Sequence, residues 1–230
     1  MSSAYNWPHE GCEGLWHFES NGNDSSGNGH DGTDSGGVTF AFGRFGKCAV
    51  FDGTARFALT LIATLFLTAF SVILWYKGTD TSGRAILFTA SGIKVNSSSS
   101  NFYGYDIETS SGIVRLILGD GSTSWALILA GTKVVNDGKW HLIAATRDDS
   151  YARIYVDGAV DAEEPNPVTP TFGSSAAYRC CSIGGAYVDG YTPLSVGYLP
   201  TCSMDELQLL DYALTPAQMS RLYAFQRGML

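Results

Sequence analysis

The sequence of this 230-residue chain predicts an all-β fold, a two-sheet antiparallel sandwich closed by one short C-terminal helix. Three observations carry that prediction. More than ten short segments show strand-like alternation, and Asp-Gly, Gly-Gly, Asn-Gly and Ser-Gly pairs punctuate them. The single long apolar run has the period of a strand rather than a helix. A capped helical pattern occurs once, at the end.

The segments follow one another as GLWHFES, KCAVFDG, ARFALTL, FSVILWYKG, RAILFTA, NFYGYDIET, IVRLILGDG, SWALILA, WHLIAATRD, ARIYVDG, YRCCSIGGA and MDELQLLD. Each is rich in β-branched or aromatic residues and is bounded by turn formers. The run from Phe57 to Tyr76 contains no charge, Gly or Pro and is as long as a membrane span. Thr60, Thr64, Thr68 and Ser71 interrupt it, and Arg56 and Lys77 flank it evenly, so no positive-inside bias is present. Phe70, Val72, Leu74 and Tyr76 alternate with Ser71, Ile73 and Trp75, which predicts two buried strands and no membrane span. In YALTPAQMSRLYAFQRG, Thr215 is placed as N-cap, Pro216 at the first helical position and Gln218 to complete a capping box. That helix, expected over residues 216–226, offers Leu214, Met219, Leu222 and Tyr223 as its apolar face and stops at Gly228.

The length suits one domain, expected over residues 14–230 after an N-terminal tail of residues 1–13. Net charge is -8, and the Lys and Arg residues are scattered, which excludes the basic stripe a nucleic-acid partner requires. The opening MSSAYNWPHE has no basic or apolar leader region, so no Sec-type signal peptide is expected. The five cysteines show no C-x-x-C pattern, which argues against zinc. They read either as buried small hydrophobes or, in an oxidising place, as Cys12 paired with Cys48 and Cys202 paired with Cys180 or Cys181.

Catalytic motifs are missing. His9, His17, His30 and His141 lie in unrelated contexts, and no G-x-S-x-G, P-loop or H-E-x-x-H pattern occurs. Asp161, Glu163 and Glu164 fall in VDAEEPNPVTP, expected to be a solvated Pro-rich loop. The chain is therefore expected not to be an enzyme. NGNDSSGNGHDGTDSGG combines many oxygen donors with flexible Gly residues, the material of a hard-cation site, yet lacks the EF-hand spacing.

Taken in order, GLWHFESNGNDSSGNGHDGT, GRFGKCAVFDGT, FSVILWYKG, DGKWHLIAATRDDSYARIYVDG, SIGG and MDELQLLDYALTPAQMSRLY resemble the laminin-G-like, concanavalin-A-like jelly-roll family from about Gly14 to Tyr223. The resemblance implies that FTAFSVILWYKG is a long core strand packed between the two sheets, and Trp75 and Trp140 are expected to fill the core. It also implies a structural calcium held by Asp24 and Asp205, with Asn28, Gly29 or His30 adding oxygens. Lectins of this architecture stack sugars on exposed aromatic rings. Tyr103, Tyr105, Trp125, Tyr187, Tyr191 and Tyr198, in or near loops, are the corresponding candidates.

The expected role is a non-catalytic binding and structural module on a particle surface, a phage virion accessory or decoration protein with glycan adhesion. The alternative is a free extracellular calcium-dependent lectin. The partners this implies are virion or other assembly proteins, cell-surface glycans and further copies of the chain.

Overall fold

A computed structural model describes residues 10–59, 63–80, 83–96, 99–122, 125–172, 180–185, 187–188, 192–193 and 199–228, with backbone alone at 92–96, 99–100, 180, 187–188 and 192–193. The strands in chain order are β1 (Cys12–Trp16), β2 (Gly32–Ser35), β3 (Thr39–Phe42), β4 (Lys47–Asp52), β5 (Arg56–Leu59), β6 (Phe70–Gly78), β7 (Arg84–Asn96), β8 (Ser99–Ser110) and β9 (Ile113–Asp120). They continue with β10 (Leu127–Val134), β11 (His141–Arg147), β12 (Tyr151–Val156), β13 (Ala159–Pro165), β14 (Cys180–Ile183), β15 (Tyr187–Val188), β16 (Thr192–Pro193) and β17 (Thr201–Leu210), before helix α1 (Pro216–Arg227).

The first sheet runs β13-β12-β11-β6-β17-β4-β3, with β1 also on β17, and the second runs β10-β9-β8-β7-β14-β5-β2. Their strand pairs are all antiparallel, and β15 with β16 forms a separate small hairpin. The long apolar run becomes β5, a short 3-10 turn at Ala63–Leu65, and β6, as its period predicts. Phe70, Val72, Leu74 and Tyr76 enter the core between the sheets, where Phe70 stacks on Tyr105 at 4.0 Å between ring centres.

Trp75 is buried in a core, as expected, on the face of β6 opposite Phe70, whereas Trp140 only borders that core. The alternation that sends Leu74 inward sends Ile73 and Trp75 to the outer face of the first sheet. There they form a second core with Leu142, Ala144, Tyr155 and Leu210, and Trp140 is only partly buried against it. Helix α1 closes this second core with Leu214, Met219 and Leu222. Thr215 caps the helix, the reciprocal bonds of the capping box with Gln218 are both made, and Pro216 begins it. Gly228 ends the helix at φ -81°, so it needs no left-handed conformation. Trp75 Nε1 donates to Gln226 Oε1 at 2.9 Å, and the Arg44 guanidinium lies 4.5 Å from the Trp75 ring.

Other boundaries also differ. Cys12 lies in a strand, as the strand-like segment EGCEGLWHF predicts, so β1 starts two residues before the expected domain boundary at residue 14 and pairs with Leu207–Leu210 of β17. Residues 159–165, expected as part of a loop, form edge strand β13, because Pro165 at its end leaves the ladder with β12 intact. Its Asp161 accepts from Thr132 N and Oγ1 and from Lys133 N, tying β13 to the edge of the other sheet. No described helix is long and apolar enough to cross a membrane.

Candidate functional site

Strand alternation sets the chemistry of the second sheet. Tyr105 and Ile107 of β8 and Leu116 and Leu118 of β9 turn into the sandwich core. Asp106, Glu108, Arg115 and Ile117 therefore turn outward. Register places Asp106 between Thr89 of β7 and Ile117 of β9, and Glu108 beside Arg115.

Glu108 is fully buried beneath two arginines: Arg84 reaches its Oε2 through Nη2 at 2.6 Å and Nε at 2.8 Å, and Arg115 Nε lies 2.9 Å from Oε1. Both guanidinium side chains are 21% exposed, so the charge pair is sealed below and open above. Asp106 accepts from Thr89 Oγ1, which in turn contacts Ser91 Oγ. Burial pushes the Asp106 carboxyl up to about 6; the Thr89 and Ser91 hydroxyls pull it down, Glu108 pushes it up and Arg84 pulls it down.

Trp125 completes the face. Its neighbour Ala126 donates to Leu118 O, whereas Arg84 sits opposite Ser110, well along β8. The Trp125 ring nevertheless lies 5.7 Å from the Arg84 guanidinium carbon, so it reaches back across the sheet. At 48% exposed it presents an open aromatic surface beside Arg84, which shares Glu108 with Arg115. A half-exposed ring flanked by fixed donors can hold a flat, hydroxylated ligand by stacking and hydrogen bonding.

Of the expected aromatic residues whose side chains are described, Trp125 alone meets this description. Tyr105 is buried, its hydroxyl donating to Leu65 O at 2.8 Å, because Tyr105 shares the inward parity of Ile107. Tyr103 is half-buried with its ring against Gly121, where a Cβ would meet it at 2.2 Å. The side chain of Tyr187, and the whole of Tyr191 and Tyr198, lie outside the described residues. Sequence reasoning missed Arg84, Asp106, Glu108 and Arg115. The signal was there: Asp106-Ile107-Glu108 and Val114-Arg115-Leu116 place charges at alternate positions of otherwise apolar strands.

The expected calcium ligands do not assemble. Asp24 folds its own loop, accepting from Leu15 N at 2.9 Å, Ser26 N at 2.8 Å, Ser26 Oγ at 2.7 Å and His30 N at 3.0 Å. Those bonds hold its carboxyl below the usual range against the opposing effect of burial. Asn28 donates to Cys12 O and Glu13 O, and His30 is buried. Asp205 instead accepts from Arg44 N at 2.7 Å and Phe45 N at 2.9 Å, and burial pushes it up to about 8. Asp24 and Asp205 share no partner, and no group of three His, Cys, Asp or Glu side chains among the described residues is placed to hold a metal. Calcium, which needs six to eight oxygens, does not fit this set.

Asp205 and Glu206 lie in a bulge where β17 changes partner, from β4 at Thr201–Met204 to β1 at Leu207–Leu210. Glu206, at φ 52°, takes His17 Nδ1 at 2.7 Å, and this bond raises the His17 pKa. Cys12, Cys48, Cys181 and Cys202 are thiols. Cys12 pairs with Leu210, and the neighbour of Cys48, Ala49, with Met204, so the two cysteines are about 15 Å apart along β17, beyond disulfide reach. The side chain of Cys180 lies outside the described residues. An open cleft of about 230 Å³ beside Lys77, Thr79, Thr201 and Ser203 is smaller than the several hundred Å³ usual for a ligand pocket.

Two packed antiparallel sheets, one closed by a helix and the other carrying an aromatic and charged outer face, define a lectin-type sandwich. Residues 51–220 match the model of the concanavalin A-like lectin/glucanases superfamily, and the chain belongs to that superfamily. Among solved structures it is similar to domain 4 of AbnA, a GH43 extracellular arabinanase from Geobacillus stearothermophilus, in complex with arabinotriose. Identity is 22% and the TM-score 0.66, over 92% of this chain and 98% of that one. It is also similar to the binding domain of Paraclostridial Mosquitocidal Protein 1, with 12% identity and TM-score 0.69 over 93% of this chain and 52% of that one. The binding domain of Botulinum neurotoxin DC in complex with rat synaptotagmin II is 12% identical with TM-score 0.69, over 95% and 52%. The chain thus spans about half the length of these toxin domains. A comparison with curated proteins found no match.

Proposed function

We propose that the chain is a non-catalytic glycan-binding module that works on the surface of a particle or outside a cell. The observation that carries this reading is Trp125, half-exposed beside Arg84 on the outer face of the second sheet. Arabinotriose in the AbnA domain supports a sugar as ligand for this architecture. A glycan array tests the reading. Wild-type protein binds at least one glycan class, and Trp125→Ala weakens that binding by about tenfold or more, as truncation of a central aromatic contact does. If no glycan is bound, the reading is wrong.

A second reading, an accessory protein of a virion such as that of a phage, draws on a different surface. Phe42, at the end of edge strand β3, is 95% exposed, and Phe225, in the last turns of α1, is 45% exposed. Arg44, two residues from Phe42, reaches Gln226 O, the residue after Phe225, and so links the end of β3 to the last turn of α1. Large exposed apolar side chains on these linked elements suit a protein partner. Size fractionation of the source material with mass spectrometry tests this: recovery with capsid or tail proteins supports it, and recovery as a free monomer refutes it.

A further inference from the structure

We propose that the Trp125 face takes an acidic sugar, with the ligand carboxylate held by Arg84 and Arg115, its ring stacked on Trp125, and buried Glu108 as the residue that positions both arginines. This rests on the glycan-binding reading and adds the ligand class and the positioning residue.

The charge arrangement supports the class. Two guanidinium groups surround one carboxylate, and that carboxylate is wholly beneath them. A ligand approaching from solvent therefore meets the arginines and the Trp125 ring and never touches Glu108. The chain as a whole carries a net charge of -8, so two neighbouring arginines, each with a side chain 21% exposed, are a local exception to its electrostatic character. Guanidinium groups bind carboxylates through paired N–H donors, a geometry that an ammonium does not reproduce.

Glu108 determines where those donors point. It engages Arg84 through Nε and Nη2, and it draws Arg115 from the neighbouring strand to the same point. Arg115 Nη1 also reaches Ser110 Oγ at 3.4 Å, which fixes its plane from the β8 side. Pre-alignment lowers the ordering cost of binding for two side chains that otherwise lose many rotamers.

Asp106 and Thr89 supply the floor one row further along β8. Asp106 accepts there from Thr89 Oγ1, which contacts Ser91 Oγ.

The test compares sialyllactose with lactose, and oligogalacturonate with its carboxyl-reduced form, by calorimetry on the full chain. The wild type should bind the acidic member of at least one pair about tenfold or more tightly. Arg115→Gln should bring acidic and neutral members to equal affinity, and Glu108→Gln should weaken acidic binding while circular dichroism and thermal midpoint report a folded protein. Glu108→Asp, which keeps the charge on a shorter arm, should recover part of the loss and serves as the second variant if Glu108→Gln does not fold. Equal affinity of acidic and neutral sugars, both lost in Trp125→Ala, overturns the acidic class and leaves the glycan reading standing. Binding unaffected by Trp125→Ala and Arg115→Gln overturns this face as the site. Failure to bind any sugar on a broad array overturns both.

Discussion

Asp106→Asn isolates the energetic consequence of placing a carboxyl on the buried floor of the candidate face. Asp106 is 3% exposed, and burial raises its carboxyl from 3.8 to about 6 in the folded chain. A raised folded pKa means that the native state keeps the proton to higher pH than the unfolded state does. Stability contributed by this group is complete below about pH 4 and is lost as pH rises through about 6, flat thereafter. Roughly two pKa units correspond to about 3 kcal/mol lost at neutral pH. Asn keeps an oxygen to accept from Thr89, but its amide hydrogens enter a buried place at a pH-independent cost of about 1–3 kcal/mol. The informative quantity is therefore the stability difference between variant and wild type measured by urea unfolding across the range from about pH 4 to 8. That subtraction cancels Asp24 and Asp157, whose pKa values are lowered and whose contributions run the opposite way. The variant should gain on the wild type by roughly 2 kcal/mol between about pH 4 and 7.5. Parallel stability curves would refute the argument and mean that Asp106 is solvated or paired.

Three further outcomes are expected. Thr215→Ala removes the N-cap oxygen that Gln218 N uses, and chemical denaturation should record a loss of about 1 kcal/mol. Tyr105→Phe leaves Leu65 O without its donor and should cost about 1 kcal/mol; because the ring lies between the sheets, sugar affinity should not change. Asp24→Ala deprives four donors of one acceptor and should lower stability by roughly 2 kcal/mol at neutral pH. Since the folded pKa of Asp24 is depressed, that deficit should shrink as pH falls below the normal carboxyl range, which acid titration of both proteins by circular dichroism would register.

The fold was largely legible because strand period and turn chemistry are local. The alternation of Phe70, Val72, Leu74 and Tyr76 against Ser71, Ile73 and Trp75 separated the two faces of β6, and the capping box of α1 was readable residue by residue. What alternation does not reveal is which face meets the other sheet and which meets a helix some 140 residues away, so the second core around Trp75 could not be placed from β6 alone. The site was less legible for the same reason. Tyr105 and Trp125 look alike as aromatic residues near Gly or Ser, and only inter-strand register distinguishes a ring enclosed by Phe70 and Phe88 from one laid over Arg84. Asp24 and Asp205 also carried the right chemistry for a cation, but each accepts from backbone donors that sequence does not bring into view, Asp205 through Oδ2.

The two outer faces of the sandwich use buried polar groups differently, and the difference explains why the ligand is assigned to one of them. On the first sheet, Asp205 is committed to backbone amides and Gln226 to the Trp75 indole, so each fixes a packing contact beneath α1 or the turn at Arg44 and Phe45. On the second sheet, Glu108 engages only the tips of long side chains from neighbouring strands. A buried ion pair of that kind gives little net stability, because desolvating three charges offsets most of their attraction, and apolar residues of similar volume would serve the fold as well. What apolar residues would not do is hold two guanidinium groups in one orientation at the surface. Net stability is therefore a weak account of Glu108, and the proposed ligand face gives it a role in aligning Arg84 and Arg115.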